Sequence, residues 1–305
     1  VGQALVPLTL GGCEEAFTGI IAVEGAGMHL EDEFGDIISK ARYGLGITIA
    51  QLAHEAGLSE RAVEDIESYR LVPDTAVIDK LASLLSLDAP KLADIANQRW
   101  SPEPANAPAS SMIVETIAVP YAAYGENAYI IGCKQNQLAA VVDPGGAIDE
   151  INNRLAEGNL NLETILITHA HRDHIGGLKQ LAIAWPGAKL INHQTERDSI
   201  LRGLKSSWAP AKDGINIHLG DLSITPLFTP GHTPGSMCYR IDSVCLVGDT
   251  LFAGSIGRPG SREVYKQMLA EIRSKILSIP EHTIILPGHG PATTVAEEKA
   301  HNPFF

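Results

Sequence analysis

Residues 163 to 177 read ETILITHAHRDHIGG, an apolar run of strand length that ends in three histidines and an aspartate between positions 169 and 174, followed by two glycines. The β-branched and aliphatic side chains favour an extended segment. Along a strand, residues i and i+2 point to the same side, so His169 and His171 can grip one metal ion. Asp173 and His174 follow as the chain turns toward a helix, and they face a second direction. Such a cluster cannot complete either metal shell alone, so the fold has to bring other ligands to the same point.

Three further segments have this construction. SITPLFTPGHTPGS delivers His232 between glycines and prolines, VCLVGDTLF delivers Asp249, and TIILPGHGP delivers His289. Each polar residue comes straight after an apolar strand, where tight Gly/Pro turns hold an exposed ligand on a rigid frame. A lone histidine in a loop is more often a surface residue than a ligand. Five of eleven histidines and two aspartates at four strand ends reverse that expectation.

The apolar runs TIAVPY, AYIIG, LAAVVD, TILIT, KLIN, LSITPLF, VCLVG and TIILP are all of strand length. Helical spacing covers 148–157, 174–184 and 262–277, and 203–214 reads as a solvated loop. Strands and helices mixed without strict βαβ repetition imply two sheets with helices outside. The fold class is therefore α/β.

The motifs THAHRDH, TPGHTPGS, GDTLF and LPGHGP resemble the metallo-β-lactamase superfamily, and within it the short relatives of glyoxalase II. The resemblance covers residues 112 to 305 and implies an αββα sandwich with the site on one edge. Carried over motif by motif, it implies that His169, His171 and His232 hold one metal, that Asp173, His174 and His289 hold the other, and that Asp249 bridges both. Asp173 and Asp249 are then the carboxylates at the reacting centre. Two divalent cations sharing a water lower its pKa enough for attack on a carbonyl at neutral pH. Zinc is the first expectation, with iron and manganese also suited to mixed N and O ligands. Arg258, in GSIGRPGS, stands where the family tends to place a basic group for the substrate's anionic end; the alternative is a surface arginine beside a turn.

The chain departs from full glyoxalase II in stopping sixteen residues after His289, so the helical region that helps hold glutathione there is missing. The activity implied is a metal-dependent hydrolase cleaving a thioester of glutathione or another small thiol. Two alternatives remain at this level: an iron-dependent persulfide dioxygenase on the same scaffold, and a metabolite-sensing transcriptional regulator.

Upstream, residues 33–99 are helical by pattern. Ile37, Ile38 and Ala41, then Ile49, Leu52, Ala53 and Ala56, then Ile78, Leu81, Ala82 and Leu85 recur at helix spacing, with Thr48 and Ser59 as N-caps and Gly57 as a stop. The stretch from Ile47 to Asp88 resembles the Cro/C1-type helix-turn-helix domain. Its recognition face would show Glu60, Arg61, Glu64 and Asp65, and 36–97 hold ten acids against six bases. That balance opposes phosphate neutralisation, so the expected role is protein contact or homodimer formation rather than DNA binding. Residues 100–111 form a Pro-rich linker, and 1–32 read as an N-terminal extension without fixed structure.

The formal net charge of −13 disfavours broad attraction to nucleic acid or anionic membrane. No apolar run reaches the roughly 18 residues that a spanning helix needs. The start lacks the basic residues of a secretory signal, and four scattered cysteines without a CxxC suit reduced thiols. A cytoplasmic setting follows as the expectation.

Overall fold

A computed structural model describes residues 29–103, 112–121 and 124–305. Residues 1–28 of the expected extension and 104–111 of the expected linker lie outside the described residues, as does Cys13. Five helices come first: α1 (Phe34–Leu45), α2 (Ile49–Ala56), α3 (Glu60–Glu67), α4 (Thr75–Leu85) and α5 (Ala89–Ala96). Local chemistry sets their ends. Thr48 and Gln51 form a reciprocal capping box, and Ser59 accepts from the Ala62 amide at 3.1 Å. Gly57 closes α2 in the left-handed region with φ +74°, which a side chain would strain.

The rest of the chain forms two six-stranded sheets. The first runs β1 (Met112–Tyr121), β2 (Tyr124–Cys133), β3 (Leu138–Val142), β4 (Asn161–Leu166), β5 (Lys189–Asn192) and β6 (Trp208–Pro210), in that order. Its first three strands pair antiparallel, and the pairs from β3 to β6 are parallel. The second comprises β7 (Ile217–Leu219), β8 (Leu222–Phe228), β9 (Met237–Ile241), β10 (Val244–Gly248), β13 (Ile284–Pro287) and β14 (Thr293–Thr294), ordered β14-β13-β10-β9-β8-β7. A small hairpin of β11 (Leu251–Phe252) and β12 (Ser255–Ile256) follows β10. The intervening helices are α6 (Ile148–Glu157), α7 (Arg172–Ile175), α8 (Leu178–Ala184), α9 (Arg197–Ile200), α10 (Arg262–Glu271) and α11 (Val295–His301).

Period-two alternation assigns each strand face to a layer. Met237, Tyr239 and Ile241 of β9 face the inter-sheet core with Tyr129, Ile131, Leu166 and Leu246, while Cys238 faces outward. The outer face of the first sheet, with Ile130, Val141 and Ile165, is covered by Ile151 and Leu155 of α6 and Leu181 of α8. The outer face of the second sheet is covered by Tyr265 and Met268 of α10 together with α1 to α5, in one continuous core that joins Cys245, Val247 and Ile285 to Ile37, Ile38, Leu52 and Leu81. The result is the expected αββα sandwich, with five extra N-terminal helices built into its outer layer.

The structure adds elements that the pattern reading did not single out, among them β9 and α11, and departs from it elsewhere. The helix expected over 174–184 breaks at Gly176 and Gly177 into α7 and α8. The stretch 262–277 ends in a π turn over Ile272–Ile276. The expected solvated loop 203–214 contains edge strand β6, whose Trp208 donates to Asn192 at 2.6 Å. Finally, Trp100 at the head of the Pro-rich stretch stacks on His301 with ring centroids 4.9 Å apart, and Glu103 N donates to Glu297 at 2.7 Å. The aromatic ring supplies the packing area that prolines and alanines lack.

One buried ion pair ties the helices to the sandwich. Lys40 of α1 pairs with Asp32, and its ammonium also donates to the Ile256 carbonyl at 2.7 Å. Asp32 thus belongs to the packed structure rather than to an extension without fixed structure. Gly44 lies beneath Tyr265, where a Cβ would come within 2.4 Å of the ring. Gly44→Val should therefore cost about 1–3 kcal/mol by overpacking. Lys40→Met should cost about 3–5 kcal/mol, because it leaves Asp32 buried without its partner. Urea unfolding followed by far-ultraviolet circular dichroism should show a single transition shifted in both variants; a separate early melting of the helices would contradict the shared core.

Candidate metal centre

The seven expected ligands meet at one edge of the sandwich, where β4, β8, β10 and β13 end. His169 Nε2 lies 3.0 Å from His171 Nδ1, and His232 Nε2 lies 2.9 Å from the same Nδ1. Asp249 Oδ2 stands 3.9 Å from His169 Nε2 and 3.5 Å from His232 Nε2. In the second group, His289 Nε2 is 3.4 Å from Asp173 Oδ2, and His174 Nε2 is 3.2 Å from Asp249 Oδ1. Asp249 Oδ2 is also 3.8 Å from His289 Nε2, so this carboxylate stands between residues of both groups.

The environment fits cations at these points. Ligand atoms of His169, His171, His232 and Asp249 all lie within 4.8 Å of one another, as do those of Asp173, His174 and His289. His174 Nε2 and Asp249 Oδ1 are buried and have no hydrogen-bond partner, a costly state that a shared cation would relieve. His232 Nδ1 donates to the Arg258 carbonyl at 2.9 Å, and His289 Nδ1 donates to the Gly125 carbonyl at 2.8 Å. A carbonyl only accepts, so these contacts hold the ring proton on Nδ1 and leave Nε2 with its lone pair facing inward.

Asp143 performs the same service deeper in the fold. It accepts from Thr168 N at 2.7 Å and from the Thr168 hydroxyl at 2.5 Å, and its Oδ2 is 3.0 Å from His174 Nδ1. Thr168 in turn contacts His169 Nδ1 at 3.0 Å. Glu196 joins two ligand loops by accepting from Ala170 N at 3.2 Å and Gly235 N at 3.1 Å. Gly248 permits the close approach of β10 to β4: its φ is +49°, and a Cβ there would sit 2.3 Å from the Thr168 hydroxyl.

Electrostatics follow from burial and from this crowding. Burial opposes ionisation of Asp249, yet His174, His169 and His232 outweigh it and hold the carboxyl well below the ordinary range. Burial pushes His169 and His232 down, favouring neutral rings able to ligate. Glu126 on β2 is fully buried 3.7 Å from His174 Nδ1, both its oxygens lack hydrogen-bond partners, and burial pushes its carboxyl up to about 10.

Arg258 has an exposed side chain, and its visible contribution is the carbonyl that orients His232. Sequence reasoning missed Asp143, Glu126 and Glu196. Asp143 ends the strand LAAVVD just as the ligands end theirs, so the strand-end pattern could have found it. Glu126 and Glu196 carry no such local signal, because their positions at the site depend on distant segments.

The sequence pattern of the Metallo-beta-lactamase superfamily matches residues 122–289. The chain is 38% identical over 198 residues to the probable metallo-hydrolase YqgX of Bacillus subtilis, covering 58% of this chain and 91% of that protein. It is 33% identical over 205 residues to the hydroxyacylglutathione hydrolase GloC of Haemophilus influenzae, covering 61% of this chain and 95% of that protein. Among solved structures, TTHA1623 in a di-iron-bound form superimposes with a TM-score of 0.52 at 28% identity, over 62% of this chain and 100% of that one. The sandwich, the two ligand groups on its edge and these matches agree, and the chain belongs to the metallo-beta-lactamase superfamily of metal-dependent hydrolases.

Proposed function

We propose that the protein hydrolyses a thioester of glutathione or of another small thiol. The observation that carries this reading is the 33% identity to a hydroxyacylglutathione hydrolase along 95% of that relative, with every ligand of two metal groups present in this chain. His169, His171 and His232 would hold one divalent cation, Asp173, His174 and His289 the other, and Asp249 both. Bound there, the cations supply an activated water and polarise the substrate carbonyl. Zinc is the first candidate, and the di-iron form of a similar structure supports iron as the second.

The chain's own residues prepare that chemistry. The Arg258 and Gly125 carbonyls and the Asp143 carboxylate fix ring protons away from the centre, so three imidazoles present lone pairs to it without reorganising. Asp173, at the half-exposed edge, contributes charge where substrate enters. Arg258 on the neighbouring loop would receive the substrate's anionic end. The departing thiolate, with a solution pKa near about 8.5, needs no strong acid to leave.

We read α2 and α3 as a helix-turn-helix of the Cro/C1 shape used for packing rather than for DNA. Glu60 and Glu64 are exposed on α3, and Arg61 is engaged by Asp65 at 3.2 Å. Phosphate contact needs free positive charge on that face. Mobility-shift assays on the intact protein should show no sequence-selective, salt-dependent complex with duplex DNA, and a specific complex would revive the regulatory reading.

Metal analysis of loaded protein should give about two equivalents per chain, and Asp249→Ala should lower occupancy of both sites together; a stoichiometry that never exceeds one would sink the binuclear reading. With S-lactoylglutathione, the protein should release one thiol per turnover without consuming oxygen. His171→Ala should reduce kcat by at least about 100-fold, on the scale of losing a metal ligand or its support. Oxygen uptake with glutathione persulfide, without thiol release from the thioester, would move the assignment to a dioxygenase.

A further inference from the structure

The segment from His29 to Phe34 lies outside the superfamily match, which begins at residue 122, yet it runs beside the second ligand group. Gly290 directly follows His289, and a Cβ at Gly290 would lie 3.0 Å from both the backbone nitrogen and the Cβ of Glu31. The φ of +72° at Gly290 already suits glycine, so the ligand loop and the incoming segment fit against each other.

The next residue holds this segment in place. Asp32 is buried and ion-paired with Lys40, and Lys40 also grips the Ile256 carbonyl two residues before Arg258. Glu31 is thereby fixed between the His289 loop and the loop that carries Arg258 and orients His232.

Its carboxylate is half-buried and makes no hydrogen bond or ion pair with any described residue. The nearby Lys40 is already engaged by Asp32 and Ile256. Glu31 belongs to none of the ligand groups at the site. A partly desolvated carboxylate without a partner is costly, and a positive group entering with the substrate would relieve that cost.

We propose that Glu31 binds a primary ammonium group on the thiol carrier of the substrate, so that the N-terminal helices supply a cation-selecting wall to the cleft. This deepens the thioesterase reading and rests on it: Arg258 would receive an anionic end, Glu31 a cationic one. The group binds substrate and takes no part in bond breaking.

The test uses the full-length, metal-loaded protein and Glu31→Gln, a change that keeps shape and removes charge. S-lactoylglutathione is compared with its N-acetyl derivative as substrate, and glutathione with N-acetylglutathione as a ligand measured by calorimetry. The natural protein should favour the free ammonium by about 10-fold in KM and in Kd, the scale of a charge-assisted hydrogen bond. Glu31→Gln should bring both preferences close to unity, with metal content and Tm retained. A preference that persists in the variant, or is absent from the natural protein, overturns the proposal. So does loss of metal from the variant, which would make Glu31 a ligand. Thioester cleavage without a Glu31-dependent preference leaves the functional reading standing and removes the inference. A Glu31-dependent preference in binding without any thioester cleavage does the reverse.

Discussion

The position of the Asp249 carboxylate governs the site. It stands between the two groups of candidate ligands, within 4 Å of nitrogens of His169, His174, His232 and His289, and it is buried among partners that favour its ionised form. A single charged group in that place has to be approached from several directions at once by β4, β8, β10 and β13. The two sheets must therefore end at one edge with their loops in register. Backbone carbonyls and Asp143 complete the arrangement by fixing where the imidazole protons sit. Rigid placement of this kind is what lets ligands act without rearrangement.

The N-terminal helices extend that logic beyond the superfamily match. They cover the outer face of the second sheet, and through Lys40 they hold the hairpin that follows Asp249. The C-terminal helix α11 grips the same hairpin from another side: Glu298 accepts from Gly254 N, and Asn302 donates to the Ser255 carbonyl at 2.9 Å. The loop leading to Arg258 is thus clamped by both ends of the chain. The apolar residues of these helices are packed against the sandwich, and Glu60 and Glu64 are exposed on α3.

The candidate ligands were legible in the sequence because their segments begin within a few residues of a strand end, with Asp173 and His174 on α7, and because their motifs resemble those of a known superfamily. Alternation set the side of each residue, glycines and prolines marked the turns, and the i, i+2 relation paired His169 with His171. Helix caps were legible for the same reason: Thr48, Ser59 and Gly57 act within four residues of themselves. Boundaries were less faithful where a side chain had a distant partner. Trp100 belongs with His301, and Trp208 with Asn192, so neither behaves as its loop composition suggested.

By itself the sequence determined the strands that lead into the site, the turns after them and the N-terminal helices, because these depend on neighbours a few positions away, and by its resemblance to a family it offered seven residues as ligands. The tertiary structure alone decided that Asp143 orients His174, that Glu196 joins two ligand loops, that Glu31 stands against Gly290 and that the helices share a core with the second sheet. Those relations join residues far apart in the chain. Local propensity carries no information about them, and only the packing of one layer on another brings the groups within reach.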